Sequence, residues 1–276
     1  MATLVCFHAH PDDEAIGTGG TIAKAVKDGH RVVLVTATRG EHGEYPDGFL
    51  AEGETLAERR EQEMADAVAV LGIARHVFLG YRDSGMMGTP ENDDPRSFWQ
   101  ADVEEAAQRL ARILDEENAD VLTVYDENGI YGHPDHIKVF QVGVRAGEIA
   151  GTRKVYETTI NRTAWIRRAQ RGDTPTRRVE TVDGVDTLIE EPASGEPRTI
   201  EFPLGVDEDK LTTAVDVRDF IDKKKEAMRA HASQITDESF FLKMPDDVFA
   251  EGFGTEWFIL RGAPAGIHEH DLFAGL

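Results

Sequence analysis

The run Leu4-Val5-Cys6-Phe7-His8-Ala9-His10-Pro11-Asp12-Asp13-Glu14 starts almost wholly apolar and then breaks into imidazole, proline and three carboxylates. An apolar run that is continuous rather than alternating fits a strand buried on both faces, as in a parallel sheet. Leu4–Ala9 is read as the first strand, and Val32–Thr38, His76–Leu79, Val121–Tyr125 and Val155–Ile160 repeat its pattern. Helical spacing fills the intervals. Val103, Ala106, Ala107, Leu110, Ile113 and Leu114 make one apolar face, with charged residues around the rest. Met64, Val68 and Leu71 form a second stripe that stops at Gly72, a natural helix end. The helix after the first strand stops at Gly29, and another starts at Pro134 and turns Ile137, Phe140 and Val144 inward. This β-α-β-α rhythm, with its right-handed crossovers, predicts an α/β fold: a Rossmann-like, mostly parallel sheet flanked by helices.

The rhythm breaks after Asn161. Residues 162–203 are polar, hold Pro175, Pro192, Pro197 and Pro203, and place Asp183-Gly184 between two β-rich runs, a hairpin signal. Thr212–Val217 and Thr255–Arg261 read as strands. Between them, Asp219 is expected to cap a helix whose inner face carries Phe220, Ala227, Met228 and His231. The expected organisation is an α/β core with a metal site over 1–160 and a small C-terminal cap over 161–276. The cap comprises a hairpin insert, a helix and a final strand, packed on the core as one domain overall.

Composition narrows the function. The 276 residues carry 52 Asp+Glu against 30 Lys+Arg, a net charge of −22, and one cysteine. A surface this negative repels phosphate backbones and anionic lipid, so neither nucleic acid nor a membrane is the expected partner. The lone Cys6 can form no internal disulfide and supplies no cysteine metal site, which fits a reducing compartment. The first residues lack a basic stretch before the apolar run, so no signal peptide is expected and the chain is placed in the cytoplasm. Gly17-Thr18-Gly19-Gly20 lacks the spacing of a dinucleotide fingerprint, and no Gly-Lys-Ser/Thr is present. Close backbone packing is the reading for those glycines. Oligomeric state leaves no trace in the sequence.

The chemistry sits at two strand ends. In open α/β sheets the carboxyl ends of the strands form the functional edge. His10-Pro11-Asp12-Asp13-Glu14 follows the first strand, and Tyr131-Gly132-His133-Pro134-Asp135-His136 follows the fourth and opens a helix. Either His-Pro-Asp alone reads equally well as a loop whose Asp caps a helix. Two of them at equivalent strand ends read as a shared metal site, because imidazole and carboxylate oxygen are standard zinc ligands.

On these residues the chain resembles the PIG-L/LmbE-like zinc-dependent deacetylases of N-acetylglucosamine conjugates, and within them the mycothiol-pathway deacetylase branch. Thr38-Arg39-Gly40-Glu41, Arg60-Glu61-Gln62-Glu63 and Arg82-Asp83-Ser84-Gly85-Met86 support the resemblance, which thins to Ala230-His231-Ala232-Ser233-Gln234 and Asp271–Gly275 toward the C-terminus. It implies that His10, Asp13 and His136 hold the metal, that Asp12 is the general base and that His133 assists. The implied reaction removes acetyl from an N-acetylglucosamine-type conjugate, N-acetylglucosaminyl-inositol among them. The chemistry is consistent: Zn2+ lowers the pKa of water to about 7, Asp12 can take the proton, and protonated His133 or the Tyr131 hydroxyl can meet the developing oxyanion. Fe2+ also suits His and carboxylate ligands.

The remaining residues read two ways. Arg60 is a sugar contact on the resemblance, or a solvated partner of Glu63 three residues on. Arg82 and Asp83 are sugar-binding candidates, or turn formers before Gly85. Glu41 is expected at the site mouth, Asp135 is an orienting partner of a histidine or a helix cap, and His231 is a cation at a helix end. The rival functions are a mycothiol S-conjugate amidase-like hydrolase, a nucleotide-dependent Rossmann enzyme and a silent sugar-binding module.

Overall fold

The computed structural model describes residues 1–171, 177–182, 185–190, 198–199 and 204–276; the turn expected at Asp183-Gly184 lies outside them. The central strand β1 (Thr3–His8) pairs in parallel with β2 (Arg31–Thr36), and β2 pairs with β3 (Arg75–Phe78). On its other side lie β4 (Val121–Tyr125) and β5 (Lys154–Thr159), also parallel. Every strand expected in the first 160 residues is present, and all but Val121–Tyr125 begin and end slightly earlier than read.

The connecting helices are α1 (Asp13–Gly17), α2 (Gly19–Lys27), α3 (Leu56–Leu71), α4 (Val103–Glu117), the single turn α5 (Gly129–Gly132) and α6 (Pro134–Ala150). Their ends follow local chemistry. Thr55 and Glu58 form a capping box at the start of α3, which closes on Gly72 at φ 74°. Asp102 caps α4 by accepting from the Glu105 amide, and Pro134 opens α6.

After α7 (Arg162–Arg171), strands β6 (Arg177–Val182), β7 (Val185–Glu190) and β8 (Arg198–Thr199) form a separate antiparallel sheet, with Val182 opposite Val185 as a hairpin requires. The chain then returns to the main sheet. β9 (Thr213–Asp216) and β10 (Thr255–Leu260) complete a seven-stranded order β3-β2-β1-β4-β5-β10-β9, with β10 antiparallel to both neighbours. Between them run α8 (Ile221–Ala230), α9 (Phe240–Lys243) and α10 (Asp246–Phe253). Asp219 does not cap α8 as expected. It lies in a single 3-10 turn that leads into the helix, and no side chain caps that helix. Among the described residues no helix is long and apolar enough to cross a membrane.

Alternation along β1 splits the core in two. Leu4 and Cys6 join Ile22, Leu34, Met64 and Met228 beneath α2, α3 and α8. Val5 and Phe7 join Val33, Leu110, Val124 and Val139 beneath α4 and α6. Gly20 allows the first layer to close, because a Cβ there would lie 2.5 Å from the Val217 side chain. Of the Gly17–Gly20 run, Gly20 serves the close packing expected of it.

One polar device crosses that layer. Glu256 of β10 accepts from the amides of Gly20 and Thr21 at 2.9 and 2.8 Å, at the positive end of α2. Lys224 of α8 bonds the same carboxylate at 2.6 Å, with both side chains almost wholly buried. Removing one member of a buried pair strands the other's charge, so Glu256→Ala is expected to cost about 3–5 kcal/mol. A lowered denaturant midpoint at unchanged slope would show it; an unchanged midpoint would contradict it.

Candidate active site

Strand order reverses between β1 and β4: β2 and β3 lie to one side, β5 to the other. Such a switch point leaves a crevice beyond the carboxyl ends of the strands. Both His-Pro-Asp motifs leave the sheet there.

The first motif is held in a strained form. Asp12 has φ 106°, a region that residues with a Cβ rarely occupy. Its carbonyl accepts from the amides of Ala15 and Ile16 and starts α1, while its own amide donates to Glu14 Oε2 at 3.1 Å. Arg60, buried on α3, donates to the carbonyls of Pro11 and Gly40 and to Asp12 Oδ2, the last at 3.1 Å. Glu14 is clamped in turn by His231 at the end of α8, Oε1 to Nε2 at 2.6 Å, with neither side chain exposed. Burial opposes charge on that imidazole, but Glu14 overrides it and raises its pKa.

The second motif is presented by Asp126, a buried carboxylate just beyond β4. Its Oδ1 accepts from the amides of Asn128 and Ile130, both at 3.0 Å, and its Oδ2 from the Thr159 hydroxyl at 2.5 Å. The turn so formed requires Gly129 at φ 64°, where a Cβ would lie 2.7 Å from that of His136. His133 then caps α6, its Nδ1 accepting from the Asp135 amide at 3.1 Å.

The motifs meet. His10 Nδ1 lies 3.4 Å from Asp13 Oδ2, and His136 Nε2 lies 3.4 Å from Asp13 Oδ1. Those separations are long for hydrogen bonds. They match the spacing of atoms around one ion, since two ligands roughly 2.1 Å from a tetrahedral zinc stand about 3.4 Å apart. His136 Nδ1 is buried without a hydrogen-bond partner, while Nε2 is the nitrogen turned to Asp13 and Tyr131. His10, His133 and His136 also bring one nitrogen each within 4.8 Å of one another, and His10, Asp83 and Asp135 form a second such group. The donor set fits a divalent transition metal.

Around these atoms the charges are sorted. Burial opposes ionisation of Asp13, yet His136 and His10 hold its carboxyl well below the usual range. His10 is likewise desolvated, but Asp83, Asp13 and Asp135 raise its pKa well above the ordinary value. Burial pushes Asp12 up to about 6, with Arg60 pulling the other way. Burial, helped by His10 and His136, drives His133 down to about 2, so it is neutral, not the imidazolium expected as an oxyanion partner. With Nδ1 accepting an amide proton, its own proton sits on Nε2. The Tyr131 side chain is exposed overall, but its hydroxyl lies 3.4 Å from His136 Nε2, and desolvation of that end, with Asp13 nearby, raises its pKa, which keeps it a donor.

The weaker sequence candidates occupy other places. Arg60 faces Asp12 and protein carbonyls, and Glu63 bonds Ser233 instead of Arg60. Asp83 is buried, accepts from the amides of His42 and Gly85, and lies 3.6 Å from His10 Nε2. Glu41 accepts from the Asp83 amide at 3.0 Å, tying the loops after β2 and β3 together. Arg82 is the most open of them, near His42 and Asp94. Asp135 does not cap α6, a place His133 takes: its Oδ2 meets His10 Nε2 at 3.1 Å and its other oxygen takes the Ser84 hydroxyl. Sequence reasoning missed Glu14 as the clamp on Asp12 and His231 as its partner. The Ala230–Gln234 string was the available signal for the latter.

A cavity of about 380 Å³ adjoins this centre, lined in part by Asp12, Asp13, Tyr131 and His136. Ile16, Trp165, Phe241, Phe253 and Trp257 are among its walls.

Known proteins resemble this chain along its length. The sequence profile described as PIG-L, GlcNAc-PI de-N-acetylase, matches residues 5–147. A 1D-myo-inositol 2-acetamido-2-deoxy-alpha-D-glucopyranoside deacetylase of Acidothermus cellulolyticus is 43% identical, covering 100% of this chain and 96% of its own. The protein of that name in Nocardiopsis dassonvillei is 44% identical over 98% and 99%. Among solved structures, the N,N'-diacetylchitobiose deacetylase of Pyrococcus horikoshii shares the fold, with a TM-score of 0.53 at 21% identity over 94% of this chain and 83% of that one. With strand order, paired motifs and relatives in agreement, the chain belongs to the PIG-L family of GlcNAc-PI de-N-acetylases.

Proposed function

We propose that this chain hydrolyses the acetamide of an N-acetylglucosamine-type conjugate, with N-acetylglucosaminyl-inositol as the first candidate substrate. One observation carries the reading: Asp12 is held by Arg60 and Glu14 beside the His10, Asp13 and His136 donors but is not one of them. A binding module has no use for a strained, fixed carboxylate in that position. The names of the Acidothermus and Nocardiopsis relatives support the inositol-linked amino sugar.

His10, Asp13 and His136 are the proposed ligands, with Asp135 orienting His10 through Nε2. Zinc is the metal this donor set favours, and it would supply Lewis acidity at the acetamide carbonyl and to water. The chain's own residues do the rest. Asp12 Oδ2 is engaged by Arg60, so Oδ1 takes the water proton and returns it to the leaving amine. A base near pKa 6 suits both transfers. His133 Nε2–H and the Tyr131 hydroxyl donate to the developing oxyanion. Arg82 at the open edge is the proposed sugar contact, with Asp83 and Glu41 shaping the loops beneath it. Arg60 acts on substrate through Asp12. The lone buried Cys6 suits a reducing, cytoplasmic setting.

Asp12→Asn should keep stoichiometric metal yet lose about 10²–10⁴-fold in kcat, as loss of an acid–base group does. The wild-type rate of acetate release should rise with pH through about 6, as Asp12 loses its proton; a pH profile unchanged in the variant would refute the assigned base. His10→Ala and His136→Ala should each lose bound metal by elemental analysis. Chelation should abolish turnover of the wild type, and activity surviving it would sink the metal-dependent reading. His231→Ala should lower kcat about 10–100-fold with KM nearly unchanged, the range for partners behind a metal site. His231→Gln, whose Nε2 can replace that of the imidazole, should recover most of it; equal losses in both variants would remove His231 from the clamp.

A further inference from the structure

The cavity beside the centre is much larger than the acetamide reaction needs. At about 380 Å³ it falls within the range of pockets that hold whole small ligands, roughly 300–1,000 Å³. A methyl group takes on the order of one water's share, ~30 Å³. Its walls are apolar and come from the C-terminal half: Trp165 from α7, Phe241 from α9, Phe253 from α10 and Trp257 from β10, facing Ile16 of α1.

Position selects what enters it. Asp12, Asp13, Tyr131 and His136 line one end of the cavity; Glu41, Arg82 and Asp83 do not line it. An amide carbon at the centre carries two substituents, a hydroxyl-rich ring on nitrogen and an acyl tail on carbon. The ring suits the polar loops after β2 and β3. The tail is left for the aromatic side. The charged groups of the aromatic side and one of its hydroxyls are committed elsewhere, Lys224 to Glu256, Glu256 also to the Gly20 and Thr21 amides, and the Thr159 hydroxyl to Asp126. A polyol placed there would exchange water for few free partners, whereas an alkyl chain would shed apolar surface.

We propose that this cavity is an acyl-chain pocket and that the enzyme removes straight, apolar N-acyl groups longer than acetyl from amino sugars. The inference rests on the hydrolase reading above. The reaction balances in the same way: water adds to the acyl carbon, the C–N bond breaks, the carboxylate leaves with the chain, and the water's proton goes to the amine.

The test uses the metal-loaded enzyme and methyl glucosaminides carrying N-acetyl, N-butanoyl, N-hexanoyl or N-octanoyl groups, with released amine as the readout. KM is expected to fall about two- to fourfold for each added methylene while the chain remains within the pocket, following the ~0.8 kcal/mol of a buried CH₂. The kcat/KM of the octanoyl substrate should equal or exceed that of the acetyl one. Trp257→Ala should lower the octanoyl-to-acetyl ratio at least fivefold. Being a ratio within one preparation, it is insensitive to the fraction of enzyme folded. An octanoyl kcat/KM below the acetyl value overturns the inference and leaves the deacetylase reading intact. A gain that follows alkyl aglycones on N-acetylglucosamine instead of the acyl chain also overturns it. Failure to release amine from any member, with metal bound, overturns both.

Discussion

Burying charge at the end of β1 is the constraint on which the rest of this protein depends. Five carboxylates, Asp12, Asp13, Glu14, Asp83 and Asp135, crowd around His10 and its neighbours, all largely withdrawn from solvent. Each would be costly alone. Asp12 is met by Arg60 from α3, Asp13 by His136 from α6, Glu14 by His231 from α8, and Asp135 and Asp83 by His10 itself. Three helices must be in place before the first loop can adopt its form. Folding and assembly of the site are thus one event, and the strained Asp12 backbone persists because that packing over-determines it. Five carboxylates against one guanidinium and two imidazoles of raised pKa, His10 and His231, leave the centre negative. A divalent cation is the charge that completes it, and it would displace the proton that otherwise resides on His10.

How much of this was legible in the sequence depended on distance along the chain. Strand and helix types over 1–160 were readable because apolar runs and 3.6-residue stripes are local signals. That the two motifs holding His10, Asp13, His133 and His136 come together was readable because both follow runs that were plainly strands; the role of each residue came only from the family resemblance. The Glu14–His231 contact spans 217 residues and leaves no local trace. His231 at the end of a helix offered a cheaper explanation, a cation beside a dipole, and tertiary burial overrode it. The alternative reading of Arg60, a solvated pair with its i+3 neighbour Glu63, fell for the same reason: both are buried and turned to different partners. The protonated state expected of His133 also required a third dimension: only the assembled site shows two more imidazoles beside it and little water.

The net charge of −22 and the chemistry of the cleft answer to different parts of the molecule. The cleft concentrates imidazole and guanidinium groups against its carboxylates, while much of the remaining acid lies outside it; Asp94, Glu104 and Glu116 take exposed or partly exposed arginine partners. Such surface pairs contribute little to stability. Their effect is on what approaches, disfavouring polyanions while leaving a neutral sugar unaffected.

The family profile stops at residue 147, yet the full-length relatives align through both ends of the chain. The structure gives a physical reason for that difference. Residues up to His136 supply the proposed reacting groups, and all of them lie within the matched stretch. Residues after 204 finish the same site from behind: His231 fixes Glu14, Ser233 fixes Glu63, and Glu256 holds the start of α2. They also build most of the aromatic wall. A region that closes a reaction centre from one side while shaping its side pocket from the other is free to vary in the second role only where the first is kept. Selectivity among acyl or sugar substrates is therefore expected to reside in Phe241, Phe253 and Trp257, whereas His231 and Glu256 are held by the charge they bury.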